Sequence, residues 1–344
     1  MKQVRTEDAV GHVLCHDITQ IIPGKVKGPV FKKGHVVTEE DIPVLKSVGK
    51  EHLYIWEKTE GILHEDEAAA ILCKIAAGDR DVFERSEPSE GKIELKSRIR
   101  GLFKVRSERL IAINSLGRMM MASIHGNFPV NEGDRLAAMR IIPLVIEEEE
   151  MKKARDVAGT EPVFDVLPFK HFDIGIITTG GEVYSGRIKD AFYPVLSRKL
   201  SEYDTDITAH TILPDDKGKI TQEILTMAKN GADMVIVTGG MSVDPDDRTP
   251  GAIAATGAKI ISYGTPVLPG AMFLLSYLDI DGRSVPVLGL PGCVMYAGRT
   301  VFDLILPRIL ANDEITGSDL ASYGEGGLCL SCDECTFPHC SFGR

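Results

Sequence analysis

The stretch Val237–Ile253, VTGGMSVDPDDRTPGAI, decides how this chain folds. It begins at the end of an apolar run, Asp233–Thr238, short and β-branched enough to be a buried strand. Two glycines follow, then Asp244, Asp246 and Asp247, then Thr249-Pro250. Proline is tolerated in the first helical turn, where its missing N–H has no partner to lose. The stretch therefore reads as strand, glycine turn and helix.

The same grammar repeats outward. Upstream, Ile174–Ile177 is an apolar strand closed by Thr and Gly. Ile188, Ala191, Phe192, Val195, Leu196, Leu200 and Tyr203 then recur at helical spacing. Ile207–Leu213 reads as a strand and Lys219–Asn230 as a helix stopped by Gly231. Downstream, MFLLSYLDIDGRSVPVLGLP predicts a hairpin turning at Asp281-Gly282, and Val294–Leu310 a closing helix. Strands alternating with helices predict an α/β domain over residues 168–312, a three-layer fold with a mainly parallel sheet covered on both faces.

A smaller α+β region precedes it. Residues 1–60 read as a compact, strand-rich segment. In FKKGHVVTEEDIPVLKSVGKEHLYIW, strand, turn, helix and strand follow one another, with Thr38 as expected N-cap and Gly49 as stop. Within the middle region, 61–150, a helix is expected over His64–Ala77 and another over Ser107–Leu116. Ile93, Leu95 and Ile99 are expected on one strand face, and Met119–Ile124 as a further strand. Glu147 to Val166 reads as a charged, partly helical connector. Residues 313–344 read as a flexible polar tail carrying cysteines.

Bulk properties narrow the function. The chain has 344 residues, 43% of them hydrophobic, 26% charged, and a net charge of −11. That balance is ordinary for a globular protein. Strong acidity argues against nucleic acid as partner, since such binding needs a basic surface to displace counterions. No apolar run is long enough to span a bilayer, and MKQVRTEDAV lacks a secretory core. No membrane partner and a cytoplasmic location are expected. Of seven cysteines, Cys15, Cys73 and Cys293 are scattered and read as buried thiols.

In an open α/β sheet, ligands bind beyond the carboxyl ends of the strands. Three glycine-bearing loops fall there: TTGGEVYSG (178–186), TGGMSVDPDD (238–247) and GLPGCVMYAG (289–298). Glycine lets backbone approach a ligand closely, and free N–H groups suit anionic oxygens. Acids beside such a site suit Mg²⁺, which takes one or two carboxylates plus ligand phosphates. Each Gly-Gly also serves simply to turn a strand into a helix, and Asp247 serves equally as an N-cap.

Residues 170–312 resemble the molybdopterin-binding domain shared by molybdopterin molybdenumtransferases and molybdopterin adenylyltransferases. GGMSVDPDDRTP carries the likeness in Gly239, Gly240, Ser242, Asp247 and Thr249; its Asp-x-Thr-Pro ending is adenylyltransferase-like. TTGGEV is similar to the family's first loop, with Thr179, Gly180, Glu182 and, in place of the usual Asp, Gly181. Asp190 stands where the family has an acid, and GLPG supplies Pro291 and Gly292. EDAVGHVLCHDI and FKKGHVVTEEDIPVLKSVG are similar to molybdenumtransferase segments. Two departures stand out: Cys293-Val294 replaces Asn-Pro, and Ala271 in LPGAMF stands where a lysine is usual.

The resemblance implies insertion of molybdate into adenylylated molybdopterin, with Mg²⁺ assisting and AMP leaving. Asp247 is the implied metal-associated catalytic acid, supported by Asp190 and Glu182; Ser242 and the loop N–H groups would hold pterin or phosphate. An adenylyltransferase, and a non-catalytic molybdopterin carrier, are the alternatives. A homo-oligomer and a molybdoenzyme partner are further expectations from the family. Separately, CLSCDECTFPHC places Cys329, Cys332, Cys335 and Cys340 close enough in sequence to supply four thiolates to a zinc ion or an iron–sulfur cluster.

Overall fold

The computed structural model describes residues 2–22, 24, 26–55 and 60–344. Trp56, the expected end of one strand, lies outside them. The chain divides into two compact units with interleaved segments, so the middle region is not a block of its own. One unit comprises residues 1–96, 106–124 and 135–164; the other comprises 97–105, 125–134 and 165–344.

In the first unit, strand Val26–Phe31, helix Asp41–Ser47 and strand His52–Ile55 follow in the expected order. Thr38 is not the N-cap. Glu40 holds that place, and the Asp41 carboxylate instead accepts the Thr38 N–H at 2.8 Å. Gly49 closes the helix at φ +79°, and the Lys50 N–H reaches back to the Leu45 carbonyl at 3.0 Å. Helix Glu65–Ala77 is capped by His64, whose ring accepts the Asp66 N–H. The connector Glu147 to Val166 resolves into helix Glu148–Ala158 and the start of strand Phe164–Pro168. Ile93 and Leu95 share a strand, Ile93–Ser97, but Ile99 does not; Ser97 Oγ donates to the Ile99 carbonyl and turns the chain there.

The second unit holds the expected α/β domain. Its strands are β1 (Phe172–Thr179), β2 (Thr205–Leu213), β3 (Met234–Thr238), β4 (Lys259–Tyr263), β5 (Leu274–Ile280) and β6 (Arg283–Leu290). Their order across the sheet is β2-β1-β3-β6-β5-β4. The first four run parallel; β5 pairs antiparallel with both β6 and β4. The hairpin turns at Asp281 and Gly282, both at positive φ, as a two-residue I′ turn requires. Between these strands lie helices α1 (Phe192–Leu200), α2 (Lys217–Lys229) and α3 (Thr249–Ala255), followed by α4 (Val301–Leu310) and α5 (Gly317–Ser322).

Alternation along the central strands feeds two cores. Ile174, Ile176, Met234, Ile236 and Leu288 pack on one side with Leu196, Phe302 and Ile305. Ile177, Val235, Val237 and Val287 pack on the other with Ile220, Ile224 and Ile253. Each fully buried aliphatic side chain contributes about 1.5–3 kcal/mol.

Three expectations shift. Helix α1 starts at Phe192, not near Ile188, because the Asp190 carboxylate accepts the Phe192 and Tyr193 N–H groups. The closing helix starts at Val301, where Thr300 and Asp303 form a capping box. The tail is not a loose tether: Tyr323 and Phe342 are buried in the core, and Phe337 packs against it. Among the described residues no helix is long and apolar enough to cross a membrane.

Candidate functional site

The chain passes from β1 outward to β2, then returns across β1 to β3. That reversal opens a crevice at the carboxyl ends of β1 and β3, the position where such sheets take ligands. Thr179 ends β1, and Gly239 follows β3.

The two loops are locked to each other. Gly239 has φ +84°, and a Cβ there would lie 2.3 Å from the Thr179 carbonyl oxygen. Only glycine permits that approach. Thr249 Oγ1 donates to the Gly239 carbonyl at 2.8 Å and lies 3.4 Å from Thr179 Oγ1. Thr179 and Thr249 are both buried. Their hydroxyls hold the loops in register and are not presented to a ligand.

A cavity of about 790 Å³ lies against these loops. Gly239, Gly240, Ser242, Asp247, Pro291 and Gly292 line it, so six of the predicted residues converge. Ala271 and Cys293, the two departures, line it as well. Burial pushes the Cys293 thiol up from its ordinary value, which keeps it protonated at neutral pH. Among the described residues, neither lysine nor arginine lines the cavity.

Asp247 is not the N-cap of α3; Arg248 occupies that position. Asp247 Oδ2 accepts the Asp244 N–H at 2.9 Å and closes a tight turn, while Oδ1 takes no hydrogen bond from the described residues. Tyr263 steadies the same loop, donating toward the Met241 and Ser242 carbonyls at 3.0 and 3.2 Å. Burial, and then the Asp247 charge, pushes its phenol up.

Thr179, Gly180, Gly181, Glu182 and Asp190 do not line the cavity. Glu182 is exposed on the helical turn Gly181–Tyr184. Asp190 is engaged on every side: besides the two N–H groups of α1, it accepts Thr178 Oγ1 at 2.8 Å and lies 3.2 Å from His210 Nε2. Asp215, not singled out from the sequence, accepts the Gly181 N–H at 2.8 Å from just beyond β2. Its signal was available: an acid immediately after a predicted parallel strand.

A family of probable molybdopterin binding domains matches residues 175–311. Residues 175–311 belong to that molybdopterin-binding family. Its boundaries contain the three loops and one core of the sheet entirely, whereas the other core also draws on Phe128, Phe172, Tyr323 and Phe342 outside them. A domain of unknown function (DUF8806) matches residues 3–57. Curated relatives include the "Putative competence-damage inducible protein" of Bacillus thuringiensis (strain Al Hakam) and that of Bacillus mycoides (strain KBAB4). Each is 29% identical over 127 residues, covering 37% of this chain. This chain spans 30% of the length of those relatives. Among solved structures, the tungsten cofactor synthesizing protein MoaB from Pyrococcus furiosus is 23% identical, with a TM-score of 0.35, covering 42% of this chain and 99% of that one. The protein CinA with unknown function from Thermoplasma acidophilum is 16% identical, with a TM-score of 0.33, covering 40% and 98%.

The molybdopterin-binding domain has a second cavity, of about 620 Å³, at the opposite, amino ends of its strands, beside His171, Asp233 and Arg283. Arg283 is already paired with Asp233 at 3.6 Å, and the glycine loops lie at the other end, so the carboxyl-end cavity is the better ligand site.

The tail cysteines do not form the expected metal centre. Among the described residues, the one group of three or more potential ligands that converges is His171, Asp173 and Asp206. Cys329, Cys332, Cys335 and Cys340 are not gathered, because packing of Phe337 and Phe342 sets the path of the tail. Cys332 and Cys335 are exposed, whereas Cys329 and Cys340 lie against the core. The residues present do not fit zinc or an iron–sulfur cluster.

Proposed function

We propose that the molybdopterin-binding domain acts in molybdenum cofactor assembly as a molybdopterin molybdenumtransferase. Adenylylated molybdopterin and molybdate are its substrates; the phosphoanhydride is cleaved, AMP leaves and the dithiolene takes up molybdenum. One observation carries the reading: the cavity joins two glycine loops to Asp247, the one carboxylate among the described residues that line it, with no lysine or arginine among them. Backbone N–H groups in such loops suit phosphate oxygens. Asp247 orients the attacking oxygen, and the Ser242 hydroxyl donates to phosphate or pterin.

An anionic ligand facing no side-chain cation needs its charge met from elsewhere. Mg²⁺ fits this donor set: Asp247 offers Oδ1, and ligand phosphates and water complete the usual coordination. When bound, the ion would neutralise charge on the bridging phosphate oxygens. Asp190 takes no part in the reaction, since its carboxylate is already satisfied by Thr178 and helix α1.

A second reading, a non-catalytic molybdopterin carrier, is favoured by Ala271 and Cys293 in the cavity wall. Turnover separates the two. Purified protein would receive adenylylated molybdopterin, Mg²⁺ and molybdate, and AMP would be quantified beside an Asp247→Asn variant. Molybdate-dependent AMP release that collapses in the variant supports the transferase. Tight pterin binding without AMP supports the carrier. Formation of adenylylated molybdopterin from ATP and molybdopterin would instead mark an adenylyltransferase.

A further inference from the structure

We infer that the C-terminal segment Gly327–Ser331 is a built wall of the ligand cavity that contacts the flat ring of a pterin while the glycine loops face its phosphate. This rests on the reading of the cavity as a pterin site. The segment lies beyond the family match, which ends at residue 311. Even so, Leu328, Cys329 and Ser331 line the same cavity as Gly239 and Gly292.

The docking is specific. Leu328 bridges Leu268 in parallel, the Leu268 N–H donates to the Gly327 carbonyl, and the Cys329 N–H donates to the Leu268 carbonyl, both at 2.8 Å. At Gly327 a Cβ would stand 2.3 Å from the Tyr323 carbonyl oxygen and 2.4 Å from that of Pro266. The end of the tail is clamped as well. Gly343 N–H donates to the Gly326 carbonyl at 2.9 Å, and Phe342 is only 2% exposed. A segment held by paired hydrogen bonds and a glycine contact on one side, and by a buried phenylalanine beyond, is a fixed wall.

The two sides of the cavity differ in chemistry. Glycine and proline backbone faces it from the β3 and β6 loops. Met295 and Tyr296, farther along the β6 loop, face it too, and Leu268, Leu328 and Cys329 face it from the docked tail and the segment it pairs with. Apolar, aromatic and sulfur-bearing side chains suit the faces of a heterocycle. Tyr296 is 81% exposed and Leu328 61%, leaving apolar surface at the rim that a bound ring would cover.

The test is a fluorescence titration of the full chain with 6-hydroxymethylpterin phosphate, an intrinsically fluorescent pterin ester. Leu328→Asp and Cys329→Trp would be compared with Cys332→Ser, an exposed tail cysteine outside the cavity. Removing or blocking one apolar contact should weaken binding about tenfold or more. Cys332→Ser should bind as the unaltered chain does. Inorganic pyrophosphate should displace the probe with the same inhibition constant in the unaltered chain and in the charge-neutral variants Cys329→Trp and Cys332→Ser, because the tail faces the ring. Leu328 is already mostly in solvent, so Leu328→Asp keeps the test open if Cys329→Trp fails to fold. Binding within twofold of the unaltered chain in the folded variants would overturn the inference. Failure of the unaltered chain itself to bind the probe would overturn the pterin reading of the cavity, and the role of the tail with it.

Discussion

Replacing Gly239 with alanine tests whether the two ligand loops are locked as described. The informative comparison is Gly257→Ala in the same domain. Both glycines have nearly the same backbone, φ +84° and +86°. At Gly257 a Cβ meets nothing within 4 Å, whereas at Gly239 it meets the Thr179 carbonyl oxygen at 2.3 Å and Thr179 Oγ1 at 2.9 Å. Each substitution incurs the left-handed backbone penalty, about 1–2 kcal/mol. Only Gly239→Ala must also push the β1 and β3 loops apart. That movement strains the Thr249 Oγ1 hydrogen bond to the Gly239 carbonyl, within a buried pair of threonines. Leaving such a buried polar group unpaired costs a further ~1–3 kcal/mol. The expected destabilisation is therefore about 1–2 kcal/mol for Gly257→Ala and about 2–5 kcal/mol for Gly239→Ala. Urea unfolding, with the slope checked for constancy, reads both. Variants that agree within about 0.5 kcal/mol would show that the loop contact does not exist.

Three other outcomes follow from side chains whose environments are set by the fold. Asp303→Asn should destabilise the α/β domain by about 3–5 kcal/mol, because it strands Lys199, almost fully buried and bonded to Asp303 at 2.7 and 2.8 Å; thermal unfolding checks this. Asp190→Ala should lower stability by about 0.5–2 kcal/mol through loss of the α1 cap; calorimetry reads it, and no loss of stability would reopen a catalytic role for this acid. His171 should titrate above its ordinary value of 6.5, chiefly because it hydrogen-bonds Asp204. A raised folded value means that its stabilising contribution is fully present below pH 6.5 and is lost as pH climbs through the raised value. Nuclear magnetic resonance titration should show this upward shift shrinking in Asp204→Asn and in high salt.

The buried strands were legible because β1, β3 and β6 bury both faces and so read as unbroken apolar runs such as IGII and MVIV. β4 was not. Lys259–Tyr263 lies at the sheet edge with two exposed and two half-buried residues among its first four, and it carries no alternation. The glycines of the loop after β3 were legible for the same local reason that makes them necessary, a sharp exit from a strand. The roles of Thr179 and Thr249 were not, since a contact across 70 positions leaves no trace in either segment. Asp190 read as a functional acid because a cap and a catalyst use the same carboxylate; only its bonds to the Phe192 and Tyr193 N–H groups distinguish them. The tail's packing is hidden in the sequence for a related reason. Its glycines and serines suggest a tether, but Phe337 and Phe342 supply the apolar anchors, and Gly327 supplies a tight contact instead of freedom.

Hydrogen–deuterium exchange with and without adenylylated molybdopterin tests the central claim most directly, that the cavity at the carboxyl ends of β1, β3 and β6 is the ligand site. Protection should appear over Thr238–Thr249 and Gly292–Tyr296, the two loops that line it. The amino-end cavity, beside Lys170–Phe172 and Arg283–Val285, should exchange unchanged. Protection at the amino ends, or at neither end, would contradict the account.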